Sequence, residues 1–134
     1  MCIRDRNFDV PDDWDGRQVF LHFGGVSSAF YLWVNGHEVG YSQGSRTPAE
    51  FDITEHLVSG DNLVALEVYR YSDGSYLECQ DFWRISGIER DVYLYATPDV
   101  HVRDFFVNAG LDGGYTDGRL SVDLQLHNLS LIHI

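Results

Sequence analysis

The run "AFYLWVNGHEVGYS", Ala29 to Ser42, contains the pattern that decides the fold. Two strand-like segments flank the dipeptide Asn35-Gly36, and both residues accept the positive φ angles that a type I′ turn requires. The run therefore predicts a β-hairpin with a two-residue turn at Asn35-Gly36.

Segments on both sides of this hairpin have the two-residue period of β-strands. Apolar side chains alternate along "RQVFLHF" (Arg17–Phe23), "NLVALEVYRY" (Asn62–Tyr71) and "RDVYLYAT" (Arg90–Thr97). The connector after the hairpin contains Pro48, which ends any strand there, and one predicted helical turn at Thr54–Leu57. The interior is thus strand after strand with almost no helix, which predicts an all-β sandwich or barrel.

A second hairpin is predicted after Pro98. "HVRDFFVNAGLDGGYTDGRLSVDLQLHN", residues 101–128, contains two strand-like runs around a turn rich in glycine and aspartate. Two strands bury too little surface to be stable alone. This hairpin is therefore either the last pair of the same sandwich or the start of a second domain, with a boundary near residues 96–99.

Composition limits the classes of partner. The chain of 134 residues has nine basic residues, all arginine, against 21 acidic ones, a formal net charge of −12. This charge argues against nucleic acid as a partner, since phosphate binding needs a basic face. No apolar run approaches the ~18 residues of a membrane span. The two cysteines, Cys2 and Cys79, support no disulfide framework, which favours a reducing compartment.

The two ends of the chain differ from its interior. "MCIRDR" (residues 1–6) and "LSLIHI" (residues 129–134) match neither the composition nor the rhythm of the rest and resemble translated adaptor sequence. We expect both to be non-native tails, so that the native segment is residues 7–128.

The loop "YSDGSYLECQDFWRISGIERDV", Tyr71 to Val92, has neither strand nor helix period and crowds five carboxylates and four aromatic residues. Glu78 and Asp81 are close enough in sequence to suggest the carboxylate pair of a glycosidase. The alternative is that both bind backbone amides or pair with Arg84 and Arg90. The alternative is favoured, because a catalytic pair normally comes from two separate elements.

Aromatic side chains in the same loop have two interpretations. Tyr76, Phe82 and Trp83 stand beside Glu78, Gln80 and Asp81, and a ring next to a carboxylate or amide can bind the C–H face and the hydroxyl groups of a sugar. The same rings can equally close the end of a sandwich, with Trp83 in the core. Composition alone favours the core role.

Longer motifs resemble a known family. "W-V-N-G", "V-G-Y-S-Q-G-S-R-x-P-A-E-F-D-I" and "S-D-G-S-Y-L-E-x-Q-D-x-W-R-x-S-G-I-x-R-D-V", in this order, resemble the amino-terminal sugar-binding domain of glycoside hydrolase family 2, as found in large bacterial β-galactosidases. The resemblance implies a jelly-roll β-sandwich over residues 7–98. It also implies that residues 99–128 begin a truncated immunoglobulin-like domain.

The family pattern implies site residues as well. It places substrate binding and a sodium ion at Asp81 and a sugar contact at Ser27, where asparagine is frequent. The catalytic glutamates of these retaining enzymes, and a magnesium ion, belong to a (β/α)₈ barrel that this sequence lacks. Cys79 and Glu89 depart from the pattern, which has an acidic and an aromatic residue there. No catalytic residue is therefore expected in this chain.

These implications lead to one expected function and its alternatives. We expect part of a cytoplasmic, homo-oligomeric β-galactosidase that contributes a substrate-positioning loop and is inactive alone. Its partners would be a β-galactoside and the catalytic barrel of the same chain. The alternatives are a free-standing carbohydrate-binding module, and a structural or oligomerisation domain of another family member such as a β-glucuronidase.

Overall fold

The computed structural model describes residues 2–78, 81, 83 and 85–128. Its elements in chain order are β1 (Cys2–Phe8), β2 (Gln18–Phe23), β3 (Val26–Ser27), β4 (Ala29–Val34), β5 (His37–Gln43), β6 (Ala49–Asp52), β7 (Asn62–Tyr69), α1 (Gly74–Leu77), β8 (Gly87–Ile88), β9 (Val92–Thr97), β10 (Val100–Leu111) and β11 (Gly118–Asn128). Short 3₁₀ turns lie at Asp12–Trp14 and Thr54–His56. The chain divides into two compact units, residues 1–96 and 97–134.

The first unit is an antiparallel β-sandwich of the jelly-roll class. One sheet has the strand order β1-β7-β4-β5, and the other has the order β6-β2-β9. A buried apolar core unites them; it comprises Val19, Leu21, Phe23, Val26, Phe30, Leu32, Val34, Ile53, Leu66 and Val68. Burial of each large member stabilises the fold by about 1.5–3 kcal/mol. The predicted all-β class and the predicted alternation of β2 are thus confirmed.

The β4–β5 hairpin has the predicted turn. Asn35 has φ 51° and Gly36 has φ 82°, and Val34 pairs with His37 across them. The Asn35 side chain donates to the Oδ1 of Asn62 (2.8 Å) and accepts from the N–H of Leu63 (2.8 Å). The turn is therefore bound to the start of β7 as well as to its own strands.

Asn62 is the polar residue at the centre of this junction and is 1% exposed. Its Oδ1 accepts from the N–H of Val58 at 2.9 Å, and its Nδ2 donates to the carbonyls of Val58 (3.0 Å) and Gly60 (2.8 Å). With the bond from Asn35, both donors and both acceptor sites of the amide are used, as a buried amide requires.

Two features near the ends of the first unit were not predicted. Residues 71–92 contain a helical turn, α1, and a short strand, β8, where the sequence indicated no regular structure. Residues 2–6 lie in β1, which pairs with β7 over its whole length. Backbone pairing does not depend on where residues originate, so the non-native tail at residues 1–6 stays a prediction. The tail at residues 129–134 lies outside the described residues.

The second unit contains the predicted hairpin. β10 and β11 pair in antiparallel register from Val100–Asn128 to Leu111–Gly118, with one irregularity between Val102 and Asp104. Asp112 closes the turn, because its Oδ1 accepts from the N–H groups of Thr116 (2.8 Å) and Asp117 (3.3 Å). Assignment of this hairpin to an immunoglobulin-like domain, with a boundary at residues 98–99, stays a prediction.

Candidate functional site

A short ladder brings the two predicted site segments together. β3 pairs with β8, so that Ser27 lies opposite Gly87 and Val26 opposite Ile88. The N–H of Glu89 also donates to the carbonyl of Gly25 at 3.0 Å. The end of the Tyr71–Val92 loop is thereby fixed beside the segment that carries Ser27.

A small pocket of about 70 Å³ opens at this end of the sandwich. Its walls are mostly polar or aromatic, with one aliphatic side chain, and comprise Ser27, Ser28, Ser45, Arg46, Arg70, Tyr71, Ser75, Glu78, Trp83, Ile85 and Ser86. Serine hydroxyls, two guanidinium groups and an indole ring provide the donors and the apolar face that a sugar needs. Ser27 lines this pocket directly.

Asp81 lies in the same loop but does not line the pocket. Its side chain is exposed and its φ is 47°, a left-handed conformation in which aspartate is several-fold enriched over most residues. An ionised carboxylate accepts hydrogen bonds only, so an exposed Asp81 suits sugar hydroxyls or a cation that lies outside the chain. The structure places Ser27 in the pocket wall and leaves Asp81 exposed to solvent, between the pocket residues Glu78 and Trp83 in sequence.

Glu78 attaches the loop to the β5–β6 connection. One carboxylate oxygen accepts from the N–H of Ser45 at 3.2 Å, and the other accepts from the Ser45 hydroxyl. This contact fits the interpretation of Glu78 as an amide-bound loop carboxylate rather than half of a catalytic pair. Charge-assisted bonds of this kind are stronger than neutral ones, so Glu78 is well suited to hold the segment that precedes Asp81.

Arg90 does not pair with these loop carboxylates among the described residues. Its guanidinium donates to the carbonyls of Gly24 and Arg46, each at 3.3 Å. A Cβ added at Gly24 would lie 3.0 Å from the Cβ of Arg90, so the glycine permits the close approach. Arg90 therefore links the β2–β3 connection to the β5–β6 connection.

The start of the loop is held by a helical turn. Asp73 caps α1 by accepting from the N–H of Gly74 at 2.9 Å, and Gln43 donates to the same carboxylate at 2.5 Å. Ser28 donates to the hydroxyl of Ser72 at 3.0 Å. Both ends of the loop thus have defined anchors, one at α1 and one at β8.

The exposed rings correct one of the two sequence interpretations. Trp83 is 82% exposed and Tyr76 is 90% exposed, so neither closes the sandwich as a core residue. Trp83 instead contributes to the wall of the pocket. Cys79, Gln80, Phe82 and Arg84 were also part of the sequence interpretation, and these four lie outside the described residues.

Sequence reasoning missed a second group of aromatic residues. Tyr31, Tyr41 and Tyr69 lie on the outer face of the larger sheet, where they alternate with core positions of β4, β5 and β7. Burial and the nearby charge of Asp73 raise the pKa of Tyr41, and a hydrogen bond to Glu67 raises the pKa of Tyr69. The signal in the sequence was one tyrosine on the solvent-facing side of each of three strands that pair with one another.

The structure offers one candidate ligand for the predicted sodium ion. A sodium ion prefers oxygen ligands, and the exposed carboxylate of Asp81 provides that donor type. No group of three or more His, Cys, Asp or Glu side chains that could hold a metal ion occurs within residues 2–78, 81, 83 and 85–128. Further ligands for an ion at Asp81 would therefore come from substrate or from elsewhere.

None of the helices in the described part of the chain is long and apolar enough to cross a membrane.

Comparison with curated proteins identifies close relatives. The chain is 57% identical over 123 residues to the β-galactosidase of Priestia megaterium (strain DSM 319 / IMG 1521), a match that covers 92% of the chain and 12% of that enzyme. It is 50% identical over 119 residues to the β-galactosidase of Clostridium acetobutylicum, covering 89% of the chain and 13% of the enzyme. The chain thus spans about an eighth of the length of these relatives.

Solved structures show the same fold. A β-glucuronidase of an uncultured Clostridium species matches with a TM-score of 0.82 and 29% identity, covering 92% of this chain and 23% of that one. The apo β-glucuronidase of Ruminococcus gnavus matches with a TM-score of 0.83 and 24% identity, over 92% of this chain and 24% of that one. The model of the sugar binding domain of glycosyl hydrolases family 2 matches residues 2–98. The chain therefore belongs to glycosyl hydrolase family 2, and residues 2–98 are its sugar binding domain.

Proposed function

We propose that this chain is part of a β-galactosidase, an enzyme that hydrolyses terminal β-D-galactose residues, and that it supplies a substrate-positioning loop. The observation that carries the proposal is the 57% identity to a β-galactosidase over 92% of the chain. The exposed Asp81 and the polar pocket at Ser27 support it, because both offer hydrogen-bonding groups to a neutral sugar.

In this proposal the loop binds and orients substrate while the chemistry occurs elsewhere. Asp81 accepts hydrogen bonds from galactosyl hydroxyls and shares a sodium ion with them, Ser27 reaches the sugar directly or through water, and Trp83 offers a ring face. The retaining glutamates and a magnesium ion belong to a barrel in the rest of a cytoplasmic, homo-oligomeric enzyme. The isolated chain hydrolyses no galactoside.

A graft into the Priestia megaterium enzyme tests this role. Residues 7–98 replace the matching segment, and Asp81→Asn is compared with Asp61→Asn, a matched change at an exposed aspartate immediately before β7. Loss of positioning can cost orders of magnitude in rate, so we expect Asp81→Asn to raise KM about ten-fold or more and to weaken the dependence on sodium. An unchanged KM across a sodium titration contradicts the role, as does turnover of a chromogenic galactoside by the isolated chain.

Two alternatives remain. One is part of a β-glucuronidase, because the solved neighbours are β-glucuronidases. The other is a free-standing sugar-binding module. A glucuronide carries a carboxylate, and the net charge of −12 opposes its approach. Binding of glucuronate in preference to galactose by the isolated chain would favour the first. Millimolar galactose binding with no barrel in the downstream coding sequence would favour the second.

A further inference from the structure

A groove on the outer face of the larger sheet has the composition of a saccharide site. It has a volume of about 330 Å³ and is lined by Tyr31, Tyr41, Tyr69, Tyr71, Ser72 and Asp73, together with the methyl group of Ala29. The ring of Tyr31 lies 4.8 Å from that of Tyr41 and 6.1 Å from that of Tyr69. We refer to this feature as the tyrosine groove.

Hydrogen-bonding groups edge the rings. The hydroxyl of Tyr41 donates to the Oε1 of Gln43 at 2.7 Å, and the Nε2 of Gln43 donates to Asp73. The hydroxyl of Tyr69 donates to Glu67 at 2.9 Å. These carboxylates retain acceptor capacity for ligand hydroxyls, and their charge disfavours anions. Rings bordered by acceptors suit a neutral polyhydroxylated ligand better than an aliphatic or phosphorylated one.

The groove adjoins the candidate sugar pocket. Tyr71 lines both of them, and its neighbour Ser72 is bonded to Ser28, which lines the pocket. A ligand that leaves the pocket over Tyr71 therefore enters the groove without crossing the core. This continuity selects a second unit of the same saccharide as the occupant.

We propose that the tyrosine groove binds a neutral sugar unit that follows the terminal galactose of an oligosaccharide substrate. The inference rests on the proposed function, because it assumes that the terminal galactose lies at the rim formed by Ser27 and Asp81. It assigns a preference for extended galactosides to residues of this chain. The groove adds affinity and does not take part in bond cleavage.

The test compares methyl β-galactoside with β-1,4-galactotriose binding to the full chain, measured by ¹⁵N chemical-shift titration. We expect about five-fold tighter binding of the trisaccharide, with shifts at Tyr31, Tyr41 and Tyr69. Tyr41→Ala should remove the preference, and Tyr41→Phe should retain most of it. Tyr93→Ala, an exposed ring on the other sheet (49% exposed), should leave it unchanged.

Other results overturn the subsite. Equal affinities, no binding of either sugar up to 100 mM, or a preference that survives Tyr41→Ala would each do so. A sedimentation coefficient that rises with concentration and falls on Tyr41→Ala would instead make the groove a contact between copies of the chain. Asp81→Asn separates the two proposals. It should weaken the binding of both sugars equally and keep the ratio of their affinities. If only the proposed role of Asp81 in binding galactose is wrong, both affinities stay unchanged.

Discussion

The bonds between Glu78 and Ser45 should control the local stability of the substrate loop. Glu78→Ala removes two charge-assisted hydrogen bonds, one to the N–H and one to the hydroxyl of Ser45. Such bonds contribute about 1.5–3 kcal/mol each to stability. Because these two bonds share one half-buried carboxylate, their joint contribution is smaller than the sum of two separate ones. We therefore expect local opening to become easier by about 2–3 kcal/mol, which is about a 30- to 150-fold change in its equilibrium constant.

Amide hydrogen exchange measures this change directly. In Glu78→Ala the N–H of Ser45 should exchange about 30- to 150-fold faster, while the N–H of Leu32 in the core ladder should keep its rate. Glu78→Gln retains one acceptor and should give an intermediate value. A change below about three-fold at Ser45 would refute the assigned anchoring role, and an equal change at Leu32 would show global destabilisation instead.

Three further changes test the fold. Asn62→Ala removes four hydrogen bonds of 2.8–3.0 Å and leaves buried groups unpaired, so we expect the free energy of unfolding in urea to fall by about 3 kcal/mol or more. Gly40→Ala places a Cβ 2.8 Å from Cε1 of the Phe51 ring and should cost about 1–3 kcal/mol in the same assay; no loss would contradict the packing. Backbone N–H groups, with that of Thr116 first, lower the pKa of Asp112, so its stabilisation of the turn is full above the ordinary aspartate pKa and lost as pH falls through the lower folded value. Exchange of the Thr116 amide, corrected for intrinsic rates, should accelerate over that acidic range in the wild type and not in Asp112→Asn.

Much of the sandwich was predictable because buried and exposed side chains alternate along its strands. In β2, the buried Val19, Leu21 and Phe23 alternate with partly exposed residues, and burial of one face makes that alternation necessary. The turn at Asn35-Gly36 was predictable because few residue pairs tolerate two positive φ angles. Both features leave a signal within a short stretch of sequence.

The candidate site was less predictable because its contacts are long-range. Glu78 and Ser45 are separated by 33 residues, and nothing in either local pattern indicates their bond. The short strand β8 exists only because β3 supplies a partner, so its two residues carry no period of their own. The tyrosines of the groove could not be grouped from the sequence, because their proximity depends on the register of β4 with β5 and β7.

The anchors on either side of the loop have an evolutionary consequence. Glu78 is bound to Ser45 at one end, and Gly87 pairs with Ser27 at the other, so both attachments lie outside residues 79–86. Asp81, Trp83, Ile85 and Ser86 lie between the two anchors and belong to neither, so substitutions at these four positions leave both attachments in place. A segment attached at both ends in this way can vary in sequence at these positions while the sandwich that carries it stays the same.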